Sequence, residues 1–244
     1  MIITIDGPVA SGKSSIAHRL AADRKIHHLN TGLLYRTVAL LMQQGADPQG
    51  DWITQLKYHV ASGTHYTPSG ATILLEGKPV QGDLYGPDID QTASRVSADA
   101  HIRQLLLPVQ RQVAQECSVV ADGRDCGSIV FPEADAKIYL TASEKVRAQR
   151  LMQDPERRYA AMSLEAVMAE IEQRDQRDKE RAVAPLIIPE GATVIDSSDL
   201  TFEQTVVRCN EVVLEQAPGI SASRLLNFAN EYCRAQGCCD YKKT

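Results

Sequence analysis

Short apolar runs alternate with longer stretches of helical spacing along most of this chain, the pattern expected of βαβ units around a parallel sheet. Ile2, Ile3, Thr4 and Ile5 form a continuous, mostly β-branched run, as in a strand covered on both faces. Residues 13–23 then place Ile16, Ala17, Leu20 and Ala21 on one stripe, which predicts a helix. Residues 118–121, 137–140 and 193–195 resemble the first run, and 26–29 adds a fifth. Helical spacing returns at 89–97, 102–116, 143–152 and 163–181, and again after Val194. The expected fold is therefore α/β, with a five-stranded parallel sheet flanked by helices.

Residues 63–82 break that rhythm. The stretches 64–67 and 71–76 and the pair Pro79-Val80 read as short strands, separated by Pro68-Ser69-Gly70 and Gly77-Lys78. That predicts a small antiparallel meander inserted into the α/β domain. Ala217-Pro218-Gly219 marks a break before a last amphipathic helix near 223–233.

Composition narrows the possibilities. The chain has 244 residues, 43% hydrophobic and 23% charged, the mix of a globular protein with a sizeable core. A net charge of −5 argues against a broad nucleic-acid or anionic-membrane surface. No run approaches the roughly 18 apolar residues of a membrane span. The segment MIITIDGPVA has no basic n-region, so a cytoplasmic protein is expected. Cysteines 117, 126, 209, 233, 238 and 239 form no C-x-x-C pair, which favours reduced thiols over disulfides or structural zinc.

The sharpest local signal is Gly7-Pro8-Val9-Ala10-Ser11-Gly12-Lys13-Ser14, which fits G-x-x-x-x-G-K-[ST] between an apolar strand and a helix. Glycines let such a loop turn tightly and aim N–H groups at phosphate oxygens, and the following helix adds its positive end. Lys13 is expected at the β- and γ-phosphates of ATP, with Ser14 on Mg²⁺ and Ser15 closing the cradle. Asp122 ends a later apolar strand, where a second Mg²⁺-directed group belongs; a turn-capping aspartate is the plainer alternative.

Seven of the 17 arginines fall between positions 147 and 181. Arg174, Arg177 and Arg181 share one helix face with Asp178, which reads either as an anion site or as a solvated face laced by Arg174–Asp178 pairing. Arg36 and Arg124 sit at element ends, and phosphoryl transfer calls for such cations around dispersed negative charge. The six histidines show no ligand spacing, and the His27-His28 pair reads as structural. A phosphate-monoester acceptor, largely dianionic at neutral pH, requires cationic clamps and no base. An alcohol acceptor requires a carboxylate base, for which Asp6 or Asp122 are the candidates.

Four stretches together resemble the bacterial-type cytidylate kinase family. They are Ile3-Thr4-Ile5-Asp6-Gly7-Pro8, Asn30-Thr31-Gly32-Leu33-Leu34-Tyr35-Arg36, Ala121-Asp122-Gly123-Arg124-Asp125-Cys126-Gly127, and the run from Arg174 through Arg181 to Leu186. The resemblance covers roughly residues 2 to 215, in order. It implies one domain with a core at 1–62 and 98–218, a nucleoside-monophosphate-binding insert near 63–97, a helical lid near 150–163 and an extension at 219–244. It implies Arg36, Arg124 and Arg181 as clamps on the acceptor phosphate, with Lys13 the fourth catalytic cation. Thr31, Arg103 and Asp125 are implied readers of the cytosine edge, and Ser94, Arg174 and Asp178 ribose contacts. The implied reaction is Mg²⁺- and ATP-dependent phosphorylation of CMP and dCMP, by a monomer.

The chain departs from the family in four places. Asn30 stands where an aspartate is usual, and residues 152–159 lack the common Lys-Gly turn, leaving Arg157 and Arg158 as lid arginines. Leu84-Tyr85-Gly86 replaces an Ile-Arg-Thr-like stretch, and the tail with Cys233, Cys238 and Cys239 lies outside the pattern. Those departures keep a rival in view, a nucleotide-binding protein with weakened catalysis, beside a P-loop kinase of a hydroxyl acceptor.

Overall fold

A computed structural model describes residues 1–47, 50–60, 71–155 and 157–218. The central sheet holds five parallel strands: β1 (Ile2–Asp6), β2 (His27–Asn30), β6 (Val119–Gly123), β7 (Ala136–Thr141) and β8 (Thr193–Asp196). Their order is β2-β6-β1-β7-β8, with Ile3 paired to Val120 on one side and Ala136 on the other. β1 is central, and Ile3 and Ile5 have no solvent exposure, as expected for a strand covered on both faces. All five expected strands are present.

The helices are α1 (Lys13–Arg24), α2 (Thr31–Gln43), α3 (Pro87–Val96), α4 (Ala100–Glu116), α5 (Glu144–Gln153), α6 (Leu164–Glu180) and α7 (Phe202–Gln216). One face of the sheet is packed by α1 and α7, through Ile16, Leu20, Val206 and Val213. A second core joins α2, α3 and α4 to a small antiparallel sheet of β3 (Leu56–Val60), β4 (Ala71–Leu75) and β5 (Lys78–Pro79).

Two differences from the expected elements have physical causes. The first strand of the small sheet is β3, where Leu56 and Tyr58 turn inward opposite Leu75 and Ile73. The strand expected at 64–67, like the helix near 223–233, lies outside the described residues. Helix α2 was not expected at all. It is buried at Thr31 and at every position from Leu33 to Leu40, and its apolar residues run nearly unbroken from Leu33 to Met42 except at Arg36 and Thr37.

Strands β1, β2 and β6 end together at one edge of the sheet, with Asp6, Asn30 and Asp122 at their carboxyl ends. Open α/β sheets bind ligands outside that edge. Each strand end here delivers a polar residue directly into a loop or helix that borders the same cleft.

Candidate active site

The loop from β1 to α1 is shaped by its backbone. Gly7 has φ of 149°, and a Cβ there would collide with the carbonyl oxygen of Leu140 on β7. Gly12 caps α1 in the left-handed region with φ of 94° and supplies no side chain to the first-turn N–H groups. Those groups therefore point outward as a ready anion cradle. Lys13 is buried and folds back, its Nζ donating to Pro8 O at 2.6 Å and Ser11 Oγ at 3.2 Å. Burial, with Arg124 nearby, pushes its ammonium well below the usual lysine range, and a polyphosphate placed beside it would favour the charged form.

Asp122 closes the other side of this cradle. Ser14 Oγ donates to its Oδ2 at 2.7 Å, and His28 Nε2 lies 2.6 Å from its Oδ1. Burial alone would raise this carboxyl, but the hydrogen bonds from His28 and Ser14 and the charges of His28 and Lys13 hold it below the usual range. A hydroxyl and an ionised carboxylate side by side are hard oxygen donors and fit Mg²⁺. No group of three or more His, Cys, Asp and Glu side chains forms an all-protein metal cage among the described residues. Mg²⁺ is commonly held by one or two protein oxygens, substrate phosphates and water, so two protein donors suffice.

The second half of the cleft is cationic. Arg124 Nε donates to Asp178 Oδ2 at 2.8 Å, joining the loop after β6 to α6. Asp125 is bonded to Arg103 and lies 3.5 Å from Arg181 Nη2. Arg103 also stands over the Tyr35 ring, 5.3 Å from its centroid. Arg36 donates to Leu84 O at 3.0 Å and to Asp90, and Arg174 donates to Asp90 at 3.2 Å. Thr31 Oγ1 donates to Asp122 O at 2.8 Å, and Ser94 Oγ accepts from Arg177 Nη1 at 2.6 Å.

One cleft of about 600 Å³ collects nearly all the residues expected at the site. Its walls include the loop from Val9 to Ser15, and Asp122, Thr31, Arg36, Ser94, Arg103, Arg124, Asp125, Arg174, Asp178 and Arg181. Gly7 and Pro8 do not line it; they shape the loop from behind. The solvated-face reading of the α6 arginines fails. Arg174 and Arg181 are buried and pair with Asp90 and Asp125, and Asp178 pairs with Arg124 rather than Arg174.

Several residues at the site have roles that were not read from the sequence, Asp6 among them, which was considered there only as a base for an alcohol acceptor. Asp6 accepts from Cys126 N at 2.8 Å and Gly127 N at 2.7 Å, pinning the base of the loop that carries Arg124 and Asp125. Burial raises the Asp6 carboxyl to about 6, against those two hydrogen bonds. Asp175 accepts from Val9 N at 3.1 Å and Arg147 Nη1 at 2.6 Å, and so braces the phosphate loop from α6. Arg150 donates to Ser11 O at 3.2 Å and to Ser197 O at 2.8 Å. His28, read as structural, touches the candidate metal ligand instead. Asn30 caps α2, its Oδ1 accepting from Leu33 N at 3.2 Å, a task that Asn and Asp perform about equally.

A parallel sheet whose central strand runs through a G-x-x-x-x-G-K-S loop into a helix places the molecule among the P-loop nucleotide-binding proteins. The comparisons with known proteins narrow this to one family. Residues 3–215 match the family model described as cytidylate kinase. A cytidylate kinase from Granulibacter bethesdensis is 38% identical over 220 residues, covering 89% of this chain and 99% of the relative. One from Chlamydia caviae is 40% identical over 222 residues, covering 89% and 100%. One from Caldanaerobacter subterraneus is 35% identical over 218 residues, covering 89% and 96%. The chain belongs to the cytidylate kinase family, enzymes of the nucleoside monophosphate kinase class.

Proposed function

We propose that this chain transfers the γ-phosphoryl group of ATP to the phosphate of CMP and dCMP, giving ADP and the corresponding diphosphate. The observation that carries the reading is Asp125. Its carboxylate, held by Arg103 and Arg181, lines the same cleft as the phosphate loop. A fixed carboxylate oxygen there accepts the exocyclic amine of cytosine, whereas uracil would present a carbonyl and leave two acceptors facing each other.

The roles of the other groups follow from charge and position. The backbone N–H groups of Ala10 to Ser14 and the Lys13 ammonium hold the ATP phosphates, and Asp175 keeps the loop in shape through Val9 N. Ser14 and Asp122 hold Mg²⁺, which when bound offsets charge on the β- and γ-phosphates. Arg36, Arg124 and Arg181 face the acceptor phosphate, with Ser94, Arg174 and Asp178 toward its sugar and Thr31 beside the base. An acceptor oxygen attacks the γ-phosphorus in line, the bond to the β–γ bridging oxygen breaks, and ADP departs with that electron pair. The acceptor phosphate has a second pKa of about 6, so it arrives ionised and no side chain need take a proton.

The segment between α5 and α6 contributes the closing part. Tyr159 in that segment is fully buried against Val167 and Ile171 of α6, and Arg157 lines the cleft. A closed segment keeps water from the γ-phosphorus. No described helix is long and apolar enough to cross a membrane. The proposal includes work on free nucleotides in the cytoplasm, by a monomer.

The deciding experiment is a coupled assay of ADP release with Mg²⁺·ATP and CMP, dCMP, UMP, AMP, simple alcohols or no acceptor. Turnover with CMP and dCMP, and little with the rest, is expected. ATP binding without turnover on any acceptor would overturn the reading, and turnover on alcohols alone would replace it with a hydroxyl kinase.

A further inference from the structure

Asp90 stands where four parts of the cleft meet, and none of its surface reaches water. Its Oδ1 is bonded to Arg36 Nη1 of α2 and lies 3.5 Å from Arg157 Nη1 of the α5–α6 segment. Its Oδ2 accepts from Arg174 Nη1 of α6 at 3.2 Å and from the Tyr159 hydroxyl at 3.3 Å. The Tyr85 ring adds a cationic seat, with the guanidinium carbons of Arg36 and Arg157 at 5.2 and 4.7 Å from its centroid. Two further carboxylates stand close: Glu170 accepts from the Tyr159 hydroxyl at 2.7 Å, and Asp154 Oδ2 lies 3.5 Å from Arg157 Nε.

A buried carboxylate among cations that face a phosphate looks counterproductive, because it occupies donors the anion needs. The charge balance explains it. Three desolvated guanidiniums would repel one another before any anion arrived. That stress is visible at Arg36, which burial, Arg157 and Arg174 pull down to about 10 while Asp90 acts against them. Asp90 itself stays ionised: burial would raise its carboxyl, but the three arginines outweigh it. Arg157 is shared with Asp154, so the three cations and two carboxylates keep a net positive charge toward a phosphate monoester dianion.

We propose that Asp90 is a positioning residue for phosphoryl transfer, gathering Arg36, Arg174 and Arg157 into one preorganised cation set around the acceptor nucleotide. This rests on the reading of the cleft as the acceptor site. It also distinguishes two adjacent arginines. Arg157 belongs to the set, whereas Arg158 is exposed and pairs with Asp83 outside it. Preorganisation of this kind removes the cost of assembling donors at the moment of reaction.

The test measures sulfate binding by calorimetry beside steady-state kinetics. Asp90→Asn keeps the shape and removes the charge. Sulfate is expected to bind at least about fivefold tighter to the more positive set. The kcat/KM for CMP should fall roughly tenfold or more as the arginines lose their shared anchor, with KM for ATP within about twofold. Asp90→Glu should restore part of that loss. If Asp90→Asn does not fold, Arg157→Gln and Arg158→Gln decide the matter. Only the former should weaken sulfate binding and CMP turnover. Unchanged sulfate affinity in Asp90→Asn, or identical behaviour of the two arginine variants, overturns the proposal. Wild-type protein that fails to phosphorylate CMP would sink the kinase reading alone, because the sulfate arm needs no turnover.

Discussion

Arg124 Nε and Asp178 Oδ2 meet at 2.8 Å, tying the loop after β6 to the last turn of α6 across 54 residues of chain. Both side chains are largely sheltered, with 21% and 9% exposure. The pair therefore sets where a phosphate-facing guanidinium stands, besides holding two elements together. Removing one partner of such a buried pair strands a charge and costs on the order of 3 kcal/mol. Asp178→Ala should lower both the melting temperature and kcat/KM for CMP. Removing both partners, Arg124→Ala with Asp178→Ala, should recover most of the stability and none of the activity. Differential scanning calorimetry beside the coupled assay checks this. Recovery of activity in the double variant would remove Arg124 from the clamp.

Asp125 and Arg181 should separate in their kinetics. Arg181→Ala should lower kcat/KM for CMP by roughly a hundredfold, the scale of losing one transition-state charge partner. Asp125→Asn should instead narrow the CMP-over-UMP preference more than it weakens ATP binding, because an amide can donate to the uracil carbonyl. Selectivity that stays unchanged would mean that the base is read elsewhere.

Asp122→Asn should raise the Mg²⁺ concentration needed for half-maximal rate, since Ser14 would be left without an anionic neighbour on the metal. Titrating Mg²⁺ at fixed ATP checks this, with Mn²⁺ binding followed by electron paramagnetic resonance in the ATP complex. An unchanged Mg²⁺ requirement would leave Asp122 as a structural partner of His28 and Ser14 only.

Asp6 predicts a pH dependence of stability. Its folded carboxyl sits at about 6, against a reference of 3.8, because burial outweighs its hydrogen bonds from Cys126 and Gly127. Between those values the folded state binds more protons than the unfolded state, so this residue's contribution falls as pH rises. The contribution is fully present below 3.8 and is lost as pH passes about 6. A shift of about two units corresponds to about 3 kcal/mol across the window. The stability difference between wild type and Asp6→Asn, measured by urea unfolding at several pH values, should therefore change in favour of the variant from pH 4 to 7. A difference constant with pH would show that Asp6 ionises with no penalty.

The first strand, the phosphate loop and α1 were legible because they are contiguous. The apolar run of Ile2 to Ile5, the two glycines and Lys13-Ser14 specify local conformation and local chemistry within 14 residues. The Asp-Gly-Arg-Asp turn and the α6 arginines were legible as motifs for the same reason. Helix α2 was not, because a nearly continuous apolar run from Leu33 to Met42, broken only at Arg36 and Thr37, does not by itself separate a buried helix from a buried strand. Asp90, Asp175 and His28 were silent too. Their partners lie 84 residues away at Arg174, 166 at Val9 and 94 at Asp122, and no local pattern marks such pairs. The sequence by itself determined the sheet, the phosphate loop and the residue types available for phosphoryl transfer. Only the tertiary structure decided which carboxylate holds which arginine, because ion pairing in a buried cleft depends on the distances that packing imposes between separate elements.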